Sequence, residues 1–387
     1  MKRRFPVPFL FMAVLALSML FAACSAGVKA PASSKPSEDA TPEQKVEALL
    51  ASMTLKEKIG QMVMIGIHGT DVTEDSLFML HQYHIGGIIL FDRNMESQEQ
   101  VKALNAHLQE KAGEKVPLFI GVDEEGGLVA RMKDKLPPPP AEEEIGASGN
   151  PELAGEWAAK TAVALKDMGF NLNFAPVADL GMERGRSFSS DPAVAAEFVR
   201  SAAKGYRQEN LIYCLKHFPG LGKGEVDTHK DTAVINISAE ELRAQDLLPF
   251  RTVVEEEEPS NHFIMVSHAV YPALEECPAS ISRVIQTELL RKALGYDGVI
   301  IIDDIAMGAV SNYYSPEELA MKAVAAGTDI ILSCHEYQTG TNVYLKLLEA
   351  AEQKQISEER INESVRRILR VKLAHLGTAK AGDAVKK

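Results

Sequence analysis

Cysteine is scarce in this chain: four in 387 residues, Cys24, Cys214, Cys277 and Cys334. None shows close metal-ligand spacing, which argues against a structural zinc site. The three later thiols cannot all pair within one chain, so at least one is expected to be free and buried, with a single disulfide left open. Basic residues are outnumbered, 41 Lys and Arg against 54 Asp and Glu, for a net charge of -13. That balance excludes a nucleic-acid partner, which calls for a basic face. The apolar run at residues 9–21 falls short of the about 20 residues that span a bilayer. His68, His81, His84 and His107 form no compact cluster at ligand spacing. Gly86-Gly87 and Gly126-Gly127 lack the Lys-Ser/Thr of a phosphate loop and read as turns that allow close backbone approach. No cofactor and no metal are implied.

What is present begins with an export address. Lys2, Arg3 and Arg4 precede the apolar run, and the small residues Ala22 and Ala23 lead to Cys24. The segment resembles a bacterial lipoprotein signal, cleaved before a cysteine that then carries lipid. Phe21 departs from that pattern, which prefers a smaller aliphatic residue there. A plain secretory signal or an uncleaved anchor is the alternative. The expected layout is a signal at residues 1–23 and a flexible tether at 24–42, polar and rich in Pro and Ser. A catalytic domain follows at 43–377, then a polar tail at 378–387. Lipid on Cys24 would tether the protein to a membrane on its extracytoplasmic side and not span it.

From residue 43 the pattern is regular. Eight short apolar runs read as buried strands, at 62–67, 87–91, 118–122, 171–176, 211–217, 263–267, 299–303 and 329–333. Amphipathic segments lie between most of them; one, at 151–168, opens after Asn150 as N-cap and ends at Gly169. Apolar strands alternating with helices indicate parallel βαβ units, and eight units indicate an α/β fold, a single (β/α)8 TIM barrel, over a doubly wound sheet. An amphipathic helix at 357–376 leaves no room for a second large domain. The prolines at 137–140 mark a long loop.

Active sites of such barrels are assembled at the C-terminal ends of the strands. The polar residues there are Asp123, Asp179, Lys216, His217, His268, Asp303, Asp304 and Ser333. The most specific segment is Lys216-His217-Phe218-Pro219-Gly220-Leu221-Gly222, followed by Asp227-Thr228-His229. With it, in order along the chain, stand Asp123-Glu124-Glu125-Gly126-Gly127, Asn173-Phe174-Ala175-Pro176-Val177-Ala178-Asp179, Arg186-Ser187-Phe188 and Gly298-Val299-Ile300-Ile301-Ile302-Asp303-Asp304. This ordered set resembles the bacterial β-N-acetylhexosaminidase branch of glycoside hydrolase family 3, over residues 43–376.

The resemblance implies a retaining exo-β-N-acetylglucosaminidase acting on N-acetylglucosamine-containing saccharides, either peptidoglycan fragments or chitin oligosaccharides. Asp303 matches the nucleophile that forms a glycosyl-enzyme intermediate. His229 takes the acid/base position, filled by a second carboxylate in most glycosidases, and Asp227 would orient it. Asp123, Lys216 and His217 match groups that grip the sugar ring, and Arg131 and Arg186 match arginines near the saccharide. His268 either faces the site or is a satisfied core histidine. Asp179 and Asp304 read as supports. Departures from the family pattern are Glu124, Leu128, Leu221 and Ile302. They remove no catalytic group but bear on substrate preference. Two alternatives stand beside this reading: a phosphorylase of the same family, and a sugar-binding lipoprotein on a retired enzyme scaffold. A plain β-glucosidase fits the Asp-x-His segment less well.

Overall fold

The computed structural model describes residues 40–113, 115–133, 138–182, 184–223, 228 and 230–377. Eight parallel strands form its centre: β1 (Val63–Gly66), β2 (Gly87–Ile89), β3 (Phe119–Val122), β4 (Leu172–Asn173), β5 (Ile212–Phe218), β6 (His262–Val266), β7 (Val299–Ile302) and β8 (Ile331–Ser333). They pair in the order β7-β6-β5-β4-β3-β2-β1-β8. A parallel bridge between Ile301 and Ile330 brings β7 back to β8 and closes the ring. The fold is a (β/α)8 barrel, with every strand found at one of the expected apolar runs.

The strands are buried along their whole length because helices cover one face and strand side chains fill the other. Phe119 and Phe263 meet edge to face inside this packing, 5.1 Å apart. β4 is shorter than its apolar run because Pro176 has no N–H for the ladder; pairing resumes at Val177, which bridges to Lys216.

Helices return the chain after each strand. Asn150 caps Pro151–Asp167 by accepting the Glu152 N–H, and Asp191 caps Pro192–Gln208 by accepting from Ala193 and Val194. The last helix, Glu358–His375, opens on Ser357 as N-cap and is fastened to the foot of the barrel. There the buried Asp329 carboxylate accepts from Ser364 Oγ at 2.6 Å and Arg367 Nη1 at 3.2 Å, and also pairs with Arg291. From the same helix Lys372 reaches the strand bottoms, donating to Gln61 Oε1 at 2.6 Å and the Gly86 carbonyl at 2.7 Å.

Gly126 and Gly127 behave as expected from the sequence. Both have positive φ, at 107° and 54°, in the turn of the hairpin Glu124–Gly126/Val129–Ala130. A side chain at Gly126 would come within 2.4 Å of the Pro140 carbonyl, so only glycine lets the two loops close on each other. Cys214, Cys277 and Cys334 are all unpaired, two of them buried. Among the described residues no helix is long and apolar enough to cross a membrane.

Candidate active site

A cavity of about 710 Å³ opens at the C-terminal ends of the strands. It draws polar walls from four loops and one strand end: Asp123, Glu125 and Arg131 after β3, Arg184 and Arg186 after β4, Lys216 and His217 on β5, Asp303 and Asp304 after β7, and His335 after β8. Apolar contributions come from Phe91, Leu128, Met182, Leu221 and Met307. Strand tips suit such groups because the backbone beneath them is rigid while the tips meet solvent.

At the end of β5 the buried Lys216 ammonium lies 2.8 Å from Asp123 Oδ1 and 2.6 Å from Glu125 Oε1. Glu125 in turn accepts both Arg186 Nε and Nη2 at 2.8 Å, a bidentate pair. Arg131 Nη2 donates to Asp123 Oδ2 at 3.2 Å. Burial alone would raise the pKa of Asp123, but Lys216 and Arg131 outweigh it and bring it down to about 2. Glu125 is likewise held below the ordinary carboxylate range by Lys216 and Arg186 against the effect of burial. Both groups therefore stay charged in the cavity wall.

His217 donates from Nδ1 to Asp179 Oδ2 at 2.7 Å, and its backbone N–H donates to the same carboxylate. Asp179 also accepts the Leu221 N–H at 2.6 Å. This fixes the imidazole so that its other nitrogen is left for the cavity. Asp179 does not line the cavity.

Asp303, at the tip of β7, is partly exposed to the cavity. Its Oδ1 accepts the Asp304 N–H at 2.8 Å, and the described residues give Oδ2 no hydrogen bond. Asp304 points the other way, accepting from Cys334 N–H at 3.1 Å and Ala306 N–H at 3.2 Å. His335 Nε2 stands 3.3 Å from Asp304 Oδ2. Burial raises the Asp304 pKa despite these partners.

Of the residues singled out in the sequence, Asp123, Arg131, Arg186, Lys216, His217 and Asp303 come together around the cavity. His268 does not reach it. Its Nε2 donates to the Asp304 carbonyl at 3.1 Å and its Nδ1 lies 2.7 Å from Ser280 Oγ, so both nitrogens are occupied by protein. Burial lowers its pKa, and the neutral ring serves as a strut behind Asp303 and Asp304. Ser333 is buried and does not line the cavity, whereas its neighbours Leu332 and Cys334 do. Asp227, His229 and Cys24 lie outside the described residues.

The sequence reading left Glu125, Phe91 and His335 without roles. Glu125 had a visible signal, the last of three consecutive acids directly after a strand tip. Phe91 and His335 had none: they meet only across the barrel mouth, where their rings stack at 5.9 Å. Among the described residues no group of three or more His, Cys, Asp or Glu is placed to hold a metal ion.

Residues 54–371 match the glycosyl hydrolase family 3 N-terminal domain. The chain belongs to glycoside hydrolase family 3. A β-hexosaminidase of Nitrosomonas eutropha is 35% identical over 286 residues, covering 71% of this chain and 80% of the relative. One from Stenotrophomonas maltophilia is 36% identical over 284 residues, covering 71% and 83%. Among solved structures, a glycoside hydrolase family 3 β-N-acetylglucosaminidase from Paenibacillus sp. matches with a TM-score of 0.82 at 36% identity, covering 87% of this chain. This chain spans 65% of that structure's length. A β-N-acetylhexosaminidase from Beutenbergia cavernae matches with a TM-score of 0.76 at 26% identity, covering 83% of this chain and 99% of that one. This family 3 chain is a glycoside hydrolase.

Proposed function

We propose that the chain is a retaining exo-β-N-acetylglucosaminidase that removes non-reducing N-acetylglucosamine from peptidoglycan fragments or chitin oligosaccharides. The observation that carries the reading is the Asp303 carboxylate, at a strand tip and facing the cavity, with one oxygen steadied by the Asp304 N–H. The opposite wall supplies Asp123, Lys216 and His217 for the sugar hydroxyls. The names of the relatives support the acetamido sugar.

In the first step Asp303 attacks the anomeric carbon and the bond to the leaving oxygen breaks. That oxygen keeps the electron pair and takes a proton from His229. A water then loses a proton to His229 and attacks the same carbon, and Asp303 leaves as a carboxylate. Asp227 would orient the His229 ring. Two displacements return the β configuration.

Fluorogenic β-N-acetylglucosaminide and β-glucoside, each with and without phosphate, test the reading. Release from the acetamido substrate alone, independent of phosphate and lost in Asp303→Ala, is expected. Release only with phosphate would make the protein a phosphorylase, and tight sugar binding without turnover would make it a binder. We also propose that Cys24 carries lipid that anchors the protein at a membrane, on the extracytoplasmic side. Fatty-acid labelling lost in Cys24→Ala is the expected result, and labelling retained would overturn it.

A further inference from the structure

The ring of Phe91 is the meeting point of two guanidinium groups. Arg93 places its guanidinium carbon 4.6 Å from the ring centroid, and Arg131 places its own 5.2 Å away. An aromatic face attracts cations through its quadrupole, and a planar guanidinium can stack on that face as an ammonium cannot. The His335 ring stacks on Phe91 as well, at 5.9 Å. Phe91, Arg131 and His335 all line the cavity.

The turn that carries the Phe91 ring is braced. Its N–H donates to Asn94 Oδ1 at 3.0 Å, and Asn94 Nδ2 donates to the Ile67 and Gly69 carbonyls at 3.0 and 2.8 Å. Arg93 Nε donates to the Ile67 carbonyl at 3.1 Å, and its Nη2 to the Cys334 carbonyl at 2.6 Å. The residues just past β1, β2 and β8 are thereby tied together. The Arg131 guanidinium has less to hold it. Its Nη2 donates to Asp123 Oδ2 at 3.2 Å, its Nη1 lies 3.7 Å from Asp92 Oδ2, and its Nε is buried without a partner among the described residues. The Asp92 side chain is 61% exposed, so water screens that pair. A single hydrogen bond lets a guanidinium pivot; the ring beside it does not.

We propose that Phe91 is a positioning residue whose ring sets the Arg131 guanidinium against Asp123 and so keeps that wall of the cavity in register for the sugar. The inference rests on the proposed hydrolysis of β-N-acetylglucosaminides, with Arg131 and Asp123 on the sugar side. Its physical reason is an inequality of support. Asp123 takes Lys216 on Oδ1 and Arg131 on Oδ2. Lys216 stands on the buried strand β5, whereas Arg131 follows a short hairpin and needs an outside surface to fix its plane. A shift of about 1 Å in a group that orients substrate is costly in rate.

The test is a double-mutant cycle on kcat/KM for a fluorogenic β-N-acetylglucosaminide. It uses Phe91→Leu, Arg131→Ala and the two combined, with each fold checked by thermal melting. Phe91→Leu is expected to lower kcat/KM about five- to twentyfold. Phe91→Tyr keeps the ring face and is expected to retain most of the wild-type value. In the Arg131→Ala background, Phe91→Leu is expected to cost less than about twofold, because the guanidinium it positions is gone. Arg131→Lys keeps the charge without the planar face and is expected to lose at least as much as Phe91→Leu.

An equal cost of Phe91→Leu in both backgrounds would make the ring a direct sugar contact or plain packing, and overturns the positioning role. Wild-type rates in Phe91→Leu or in Arg131→Lys overturn it too, and the lysine variant decides the matter if Phe91→Leu does not fold. If Arg131→Ala hydrolyses at the wild-type rate, Arg131 is not on the sugar side and the inference falls while the hydrolase reading stands. A wild-type protein that releases nothing from the acetamido substrate defeats that reading and takes the inference with it.

Discussion

Lys216 Nζ lies 2.6 Å from Glu125 Oε1, and this buried pair is the pivot of one wall of the cavity. The same ammonium serves Asp123, so one cation balances two carboxylates on a single loop. Burial works against the Lys216 charge, yet the two carboxylates outweigh it and raise its pKa.

Replacing Lys216 with Met strands these carboxylates without their shared partner. A loss of about 3–5 kcal/mol of stability is expected, as when one member of a buried pair is removed. In wild type, Asp123 loses its charge only near pH 2. Without Lys216 its pKa rises, so the acid limb of the kcat/KM profile should move to higher pH. Chemical denaturation and a pH–rate profile check the two halves of this expectation.

Glu124 tells the opposite story. Its carboxyl is fully buried, with Oε2 accepting the Arg131 N–H at 2.9 Å and Oε1 lacking a partner among the described residues. Burial pushes its pKa up from 4.5 to about 7. A carboxyl with a raised pKa contributes stability that is complete below pH 4.5 and lost as pH climbs through about 7. The whole contribution is on the order of 3 kcal/mol. Glu124→Gln should be free of this decline. Its stability relative to wild type is expected to be greater at pH 8 than at pH 4, measured by urea unfolding at both.

Lys372 carries a buried amine whose described hydrogen-bond partners, Gln61 Oε1 and the Gly86 carbonyl, are uncharged. Desolvation lowers its pKa well below 10.5. The folded chain therefore holds this proton less firmly than the unfolded chain, and stability rises with pH up to about 10.5. Lys372→Met should flatten the stability profile by up to about 1.4 kcal/mol per pH unit in that window. Parallel wild-type and variant profiles between pH 7 and pH 9 would show no change of slope if the lysine were fully charged in the folded state.

His268 supplies a test of strut against ligand. Its ring holds the Asp304 carbonyl and does not line the cavity. His268→Ala is expected to lower kcat about tenfold through misplacement of Asp303, with KM within about twofold. A rise in KM with kcat unchanged would instead make the histidine a direct sugar ligand.

The eight strands were legible because parallel strands covered on both faces must be apolar throughout, and that pattern is local. The ionisable residues at their tips were legible for a related reason: a strand interior would not tolerate them, so Asp123, Lys216 and Asp303 announce one end of the barrel. The dual reading of His268 was not resolvable in sequence. Whether a strand-tip ring faces inward or backs a turn depends on Ser280 and the Asp304 carbonyl, and no periodicity encodes those contacts.

Strand count, barrel class and the identity of the tip residues thus came from hydrophobic spacing along the chain. The pairings did not. Arg186 reaches Glu125 across 61 residues, Lys216 reaches Asp123 across 93, and Tyr313 reaches Asp231 across 82. Such partners are chosen when barrel closure brings distant loops to a single mouth. Burial there strengthens each Coulomb interaction and penalises every charge left alone.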